Sequence, residues 1–485
     1  MAALAQTNSP DVRTLSLDEC IQSALQRNLD IQISRYVPSL ATLDLKAAYA
    51  GYNPSFSISG AHNYSMTAGG FNPQLATLQA GTSADGNTFN SSLGGLAPWG
   101  LNYNLAGNIS EFYGTAGPDQ TPFDQSRGQA GFTLTQPLLK NFWIDSTRLN
   151  IRVAKNRVKY SELTLKQQIM QTATTVENAY YDLIYDRENV KVQQKAVELA
   201  LQLVVENRKR VEVGALAPLD AQQAEAQAAS SEATLIAAKS ALAVQEHLVK
   251  QLITDDYSRW ADRSIEPSGM LAAPRQFFNL QDSWSKGLTE RPDLLQAKLD
   301  IERQGVTIKY NHNQLFPELD LVGTYGHTAA GFSEFNTSFG QLRDGTFPYY
   351  SYGAQLTFPI GNTAARAAYK SSKLVLEQFV LTLKKLEQSI MVAIDNDIKQ
   401  AESSYKQVAA TRTAREYAAA ALDAEQKKLD SGKSTTYTVL QMQRDLTTAR
   451  GNEIQALDNY NKALSQLSMD EGTTLQRLGI NFEAK

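Results

Sequence analysis

The side chains able to do chemistry are few and scattered. The 485-residue chain holds four histidines, His62, His247, His312 and His327, and one cysteine, Cys20. None of the histidines stands in an HExxH pattern or beside a carboxylate at metal-ligand spacing. A lone cysteine excludes an intramolecular disulfide and a thiolate cluster. Cys20 lies in the apolar-periodic stretch LDECIQSAL and reads as a small packed helix residue. The segment GTSADGNT from Gly81 imitates a phosphate-cradling loop, but Asn87 stands where that chemistry needs lysine. Its surroundings read as a polar loop, not as a strand followed by a helix. With no GxSxG motif or cysteine nucleophile setting either, the chain is expected to be no enzyme and to hold no cofactor or metal.

What remains are two short turns whose residues can bind or constrict rather than react. The first, in RKRVEVGALAPLDAQQ, carries Arg210, Gly214, Ala215, Leu216, Pro218 and Asp220. The second, in KKLDSGKSTTYTVLQMQ, carries Gly432, Lys433, Ser434, Tyr437, Thr438 and Gln441. Taken alone, Asp220 two residues after Pro218 fits an ordinary helix opening, where a carboxylate meets the positive end of the helix dipole. Arg210 and Lys433 likewise fit a solvated helix surface.

The elements that must hold these turns are very long helices. Leu138 to Val213 and Leu219 to Glu266 contain neither glycine nor proline, and only Gly214–Pro218 separates them. Ile169, Val176, Leu183, Val190, Val197, Val204 and Val211 recur every seven residues, and Ala221, Ala228, Leu235, Leu242 and Val249 keep that spacing after the break. A sustained seven-residue stripe imposes a left-handed supercoil, because the helix must be under-wound to keep the stripe on its partner. The two arms are expected to pack antiparallel. At 1.5 Å per residue the first arm would reach roughly 110 Å if wholly helical, and the glycine-free stretch from Asn362 to Ser431 roughly 105 Å.

The chain is a repeat. A shift of 263 places Leu17, Ile21, Leu25, Asp30 and Ile31 over Leu280, Trp284, Leu288, Asp293 and Leu294, with Pro54 on Pro317 and Gly60 on Gly323. TQPL at Thr135 answers TFPI at Thr357 at a shift of 222, so the first half carries 263 − 222 = 41 extra residues between these landmarks. The expected order is a tail at 1–16 following a removed export signal, a first repeat at 17–266, a linker at 267–279, a second repeat at 280–468 and a tail at 469–485. The small-x-small Ala3-Leu4-Ala5 is read as the remnant of that signal.

Each half includes period-two segments, expected at about 55–66, 128–137, 318–328 and 350–358. Phe56, Ile58, Tyr64 and Met66 share one face of the first, opposite Ser55, Ser57, Ser59, Asn63 and Ser65. A core face in a soluble β-domain looks similar, but no charged residue occurs from Ala47 to Ala84. That favours lipid on one side and water on the other. Tyr349, Tyr350 and Tyr352 are the expected interfacial aromatic girdle. LNYNLAGNIS from Leu101 also alternates; because an odd strand count suits a meandering barrel poorly, it is assigned to a loop hairpin beyond the membrane. No run of 18 apolar residues exists, and the net charge of −4 argues against nucleic acid as a partner.

Two halves that splice short strands into coiled-coil helices resemble the TolC-like outer-membrane efflux family. The markers are LSLDECIQSALQRNLDIQ, the strand entries YNPSF and LFPEL, the strand exits TQPLL and TFPIG, and the two glycine turns, in this order over nearly the whole chain. The resemblance implies an α+β membrane protein of mostly long helices plus four strands per chain. A homotrimer would close a twelve-stranded barrel in lipid of the Gram-negative outer membrane, with a helical tunnel through the periplasm. The glycine turns would lie at its periplasmic end, meeting a periplasmic adaptor protein and an inner-membrane transporter.

In that family the first turn is followed by an aspartate, matched here by Gly214 with Asp220, and Arg210 precedes the glycine by one turn. The second turn often leads into VLDAQ-like sequence whose carboxylates ring the pore. Here it reads VLQMQ, so Gln441 replaces the carboxylate, and Tyr437, Thr438 and Gln441 are left to narrow the opening sterically. Ser434 lies near the place of an arginine that pairs with the aspartate, and Lys433 is its substitute. The implied function is a passive efflux duct. A type I protein-secretion channel of the same architecture is the alternative, and a trimeric coiled-coil structural or adhesive protein is the reading from another class.

Overall fold

A computed structural model describes residues 12–74, 76–116, 120–331 and 335–481. The proposed signal remnant at Ala3–Ala5 lies outside them. In chain order the elements are β1 (Val12–Leu15), α1 (Leu17–Arg27), α2 (Leu29–Tyr49), β2 (Ser55–Thr67), β3 (Gly70–Asn72), β4 (Thr77–Gln79), β5 (Thr82–Leu96), β6 (Asn102–Ala116), β7 (Thr121–Pro137), α3 (Ser146–Glu212) and α4 (Pro218–Ile253). The second half follows with β8 (Ser264–Pro267), α5 (Leu280–Glu290), α6 (Pro292–Asn313), β9 (Glu318–Gly331), α7 (Phe335–Asp344), β10 (Phe347–Thr357), α8 (Thr363–Asp430), α9 (Thr436–Asp470) and α10 (Thr474–Arg477). The starts of α1, α2 and β2 stand 263 residues before those of α5, α6 and β9. The ends of α3 and the starts of α4 stand 218 before those of α8 and α9.

The chain divides into two units, one of residues up to Ser39, 159–298 and 381 onward, the other of residues 40–158 and 299–380. The helical unit is built on the heptad stripe. Ile169, Val176, Leu183, Val190 and Val204 are buried, as are Ala228 and Val249 on the returning arm. Ala200 and Val204 pack on Ala224 and Ala228, so small side chains bring the two arms close. A second layer of the core joins Cys20, Ile21 and Ala24 of α1 to Val176, Tyr180 and Leu183 of α3 and Val249 and Ile253 of α4. Cys20 is a core residue, and burial pushes its thiol pKa up to about 12. The short β1 pairs in parallel with β8, so part of the expected N-terminal tail is a strand. The expected C-terminal tail likewise holds α10. Glu177, fully buried, receives both guanidinium nitrogens of Arg477 at 2.8 and 2.5 Å and the Ser465 hydroxyl at 2.6 Å, which ties this terminal turn to α3.

The other unit is organised by one six-stranded antiparallel sheet in the order β10-β9-β7-β6-β5-β2. This corrects the expectation of four strands per chain. The segment from Leu101 is not a detached hairpin beyond the membrane. It is β6, paired to β5 from Asn102 to Gly114 on one side and to β7 over its whole length on the other. The odd-count objection falls because β5 supplies the even partner. In sequence β5 was hidden: TSADGNTFNSSLGGL has only Phe89 and Leu93 as large apolar residues on one face, and three glycines. The phosphate-loop imitation GTSADGNT therefore runs into a strand and is not a polar loop.

The register sorts the sheet into two faces. Phe56, Leu93, Leu105, Phe132, Tyr325 and Tyr350 form one continuous row across all six strands. On the opposite face the neighbouring row is Ser55, Gly94, Asn104, Thr133, Thr324 and Ser351. Tyr350 and Tyr352 stand among the apolar rows and are strongly exposed, at 74% and 87%. Tyr349 is corrected: period-two alternation places it on the polar face, where its hydroxyl accepts a 2.7 Å hydrogen bond from Gln129. Helix α7 lies on the apolar face, with Ser338 bonded to Ser126 at 2.6 Å and Leu342 close against Gly128.

Candidate functional site: the paired helical tips

Both turns end their helices in the same way. Gly214 has φ +73° and Gly432 φ +72°, the left-handed region that costs a side-chain-bearing residue strain. The amide of Ala215 donates to the Arg210 carbonyl at 2.7 Å and that of Gly214 to Val211 at 3.0 Å. Lys433 and Gly432 repeat the pair onto Lys428 and Leu429 at 2.8 and 3.1 Å. These are Schellman closures, which satisfy carbonyls that the end of a helix leaves open. A Cβ at either glycine would meet nothing within 4 Å, so the backbone angle alone demands glycine.

The returning helices open differently. Pro218 starts α4 with no side-chain cap, and Asp220 sits in its first turn. In α9, Thr435 caps by accepting from the Thr438 amide at 3.3 Å. The Ser434 hydroxyl donates to Glu425 at 2.5 Å, and Lys428 holds the same carboxylate at 2.9 Å. These bonds, the Ser434 hydroxyl first, keep the Glu425 carboxyl below the usual range. Ser434 is thus occupied inside its own hairpin. Lys433, Ala215 and Gly214 are exposed, and Leu216 is half-buried.

The two hairpins are tied together within one chain. Leu203 of α3 packs with Leu422 and Leu429 of α8 and Val439, Leu440 and Leu446 of α9. Arg210 reaches from α3 to the Asp430 carboxylate of α8 at 3.0 Å and to the Leu429 carbonyl at 3.5 Å. It is a cross-tip bridge and not merely a solvated surface residue. Asn207, fully buried, donates to the Asp220 carbonyl at 3.3 Å and accepts from Thr436 at 3.5 Å, joining α3, α4 and α9. Sequence reasoning missed Asn207 because a single polar residue in a heptad carries no pattern of its own.

Tyr437 and Gln441 fall four residues apart on α9 and are both exposed. They line one groove with Gln223, Gln227, Arg444 and Asp445. Arg444 is drawn to α4 by a 2.6 Å bond to Gln227. Asp445, four residues beyond Gln441, restores a carboxylate to this face one turn from the expected place. Thr438 is half-buried, its amide used by the cap. The i, i+4 spacing from Gln441 was the signal that could have found Asp445. Among the described residues no group of three histidine, cysteine or carboxylate side chains is placed to hold a metal ion.

The chain matches the family described as Outer membrane efflux protein over residues 20–253 and 284–469. It is 26% identical over 336 residues to the outer membrane efflux protein BepC of Brucella suis, covering 68% of this chain and 69% of that one. With the outer membrane protein TolC of Vibrio cholerae it shares 25% identity over 416 residues, 83% and 88% of the two chains. The fold is that of the Campylobacter jejuni CmeC outer membrane channel, with a TM-score of 0.69 at 15% identity over 94% of this chain and 86% of that one. VceC of Vibrio cholerae is similar at a TM-score of 0.67 and 17% identity, over 94% and 96%. The chain therefore belongs to the outer membrane efflux protein family, whose TolC-like members are channels, not enzymes, of the Gram-negative outer membrane that extend into the periplasm.

Proposed function

We propose that three copies of this chain assemble into the outer-membrane duct of a tripartite efflux system, conducting substrates passively from an inner-membrane transporter and a periplasmic adaptor to the outside. The observation that carries this reading is the sheet, apolar on one face, polar on the other and open at both long edges. Among the described residues, no strand pairs with the outer edges of β2 and β10, which run over thirteen and eleven residues. Such edges are aggregation templates unless they close on another copy. The apolar rows run from Leu319 and Leu356 to Phe89 and Ile109. For strands tilted about 40° the apolar face is about 25 Å tall, its last row overlain by α7 at Gly128, comparable to lipid-facing bands in outer-membrane barrels.

A second surface supports assembly. Leu29, Ile33, Tyr36, Leu40 and Leu43 of α2 are spaced four and three residues apart in alternation, and each is more than half exposed. That is the spacing of a coiled-coil seam, left uncovered among the described residues. In this reading the tips at Gly214 and Gly432 meet the adaptor, and Tyr437, Thr438 and Gln441 narrow the periplasmic mouth. The test is site-specific crosslinking in cells from cysteines at Ala215 and Lys433. Capture of a periplasmic protein at either site is expected; capture at neither, in a trimer extracted from the outer membrane, removes the tip assignment.

A further inference from the structure

The 41 residues by which the first half exceeds the second are accounted for chiefly by β5 and β6, a hairpin set into the middle of the sheet between β2 and β7. Its residues continue both faces without interruption. Leu93 and Leu105 bridge Phe56 to Phe132 on the apolar side, and Asn90 and Asn108 bridge Ser59 to Gln129 on the polar side. The Ser57 and Ser92 hydroxyls bond at 2.8 Å across the first junction. The inward turn of the hairpin is closed by the Ala97 amide on Leu101 and the Gly100 amide on Ala97, both at 2.8 Å. Arg148, in the first turn of α3, donates to the Pro98 carbonyl at 3.0 Å and is itself held by the Phe142 carbonyl at 2.5 Å and Asp145 at 3.3 Å. The hairpin is thus docked at the strand-to-helix junction by a residue of the helix. Among the described residues no helix continues β5 or β6, whereas β2, β7, β9 and β10 lead to or from α2, α3, α6 and α8.

We infer that the assembled pore is a ring of eighteen strands, six from each of three chains, in place of the twelve that the family resemblance implies, and that it passes bulky hydrophilic cargo. The inference rests on the trimeric duct proposed above. With strands about 4.8 Å apart and tilted about 40°, eighteen strands close at a backbone diameter of roughly 36 Å, against roughly 24 Å for twelve. Rings of that strand number keep an open aqueous channel. The face that becomes the lumen carries Ser57, Ser59, Asn90, Ser92, Asn104 and Asn108 in its central rows, small and uncharged. Bulk and hydration are what these central rows sort by, the charged Arg127 and Asp320 lying towards the two ends of the same face.

The test uses the full-length protein carrying Cys20→Ala in lipid nanodiscs, with spin labels on single introduced cysteines. A label at Ser57→Cys on β2 reports the three-fold distance across the lumen, about 30 Å for eighteen strands and about 20 Å for twelve at the same spacing and tilt. A label at Leu105→Cys is expected in contact with lipid and one at Asn104→Cys in contact with water. A distance near 20 Å, or water contact at Leu105→Cys, overturns the wide ring while leaving the duct intact. A sample that is not trimeric overturns the duct reading itself, and the ring with it.

Discussion

Arg210 on α3 and Asp430 on α8 meet at 3.0 Å and join the two glycine turns of one chain. Both residues precede their helix-ending glycines, Arg210 by four positions and Asp430 by two. Asp430 is largely exposed, so the pair contributes under about 1 kcal/mol to folding. Its effect is expected in the mobility of the tip. Arg210→Ala should raise single-channel conductance in planar bilayers while leaving the unfolding midpoint nearly unchanged. Conductance equal to the parent protein would mean that the bridge does not restrain the mouth.

The glycine turns predict a different balance. Gly214→Ala or Gly432→Ala forces a side chain into the left-handed region at a cost of about 1–2 kcal/mol, although nothing nearby clashes. Asparagine, which tolerates that conformation, should restore most of the loss. Amide exchange in the last turns of α3 and α8 is the readout, and equal protection in all variants would show that the turn relaxes without strain.

Deep in the helical unit, Glu177→Ala leaves the Arg477 guanidinium without its carboxylate. The expected destabilisation is about 3 kcal/mol, the low end for a broken buried pair because Arg477 reaches solvent. Thermal unfolding of the purified protein checks this. Replacing both partners by apolar residues of similar size should cost less than the single change.

Asp186 supplies the pH dependence. Burial first, then repulsion from Asp182 and Asp458, raises its carboxyl to about 6. The folded chain therefore binds a proton that the unfolded chain has released between about pH 4 and pH 6. Stability falls as pH rises through that window and is lowest, for this group, above it. Asp186→Asn should raise the unfolding midpoint at pH 7.5 and lose its advantage below pH 4. An advantage that does not change with pH would point to packing instead.

At the groove on α9, Asp445 lies one helical turn beyond Gln441 on the same face. On the proposed duct reading, Asp445→Asn is expected to weaken block by multivalent cations added from the tip side about tenfold, as loss of a near charge in a confined site does. Block unaffected by the substitution would place Asp445 away from the conducting path.

Sequence alone determined whatever is written in local periodicity. The seven-residue stripe through Val176, Leu183 and Val190 specified the long helices, because each position repeats the same requirement on its neighbours. Gly214 and Gly432 marked the turns, because only a residue free of Cβ enters that backbone region without strain. The alternation in β2 marked a two-faced strand. The tertiary structure decided what depends on partners distant in the chain. Asn207, Arg210 and Asp430 have no pattern in sequence, and only the packing of two hairpins brings them together. The strand β5 shows the same limit most clearly. Its glycines and small polar residues carry little intrinsic strand signal, and it is held as a strand by ladders to β2 on one side and β6 on the other.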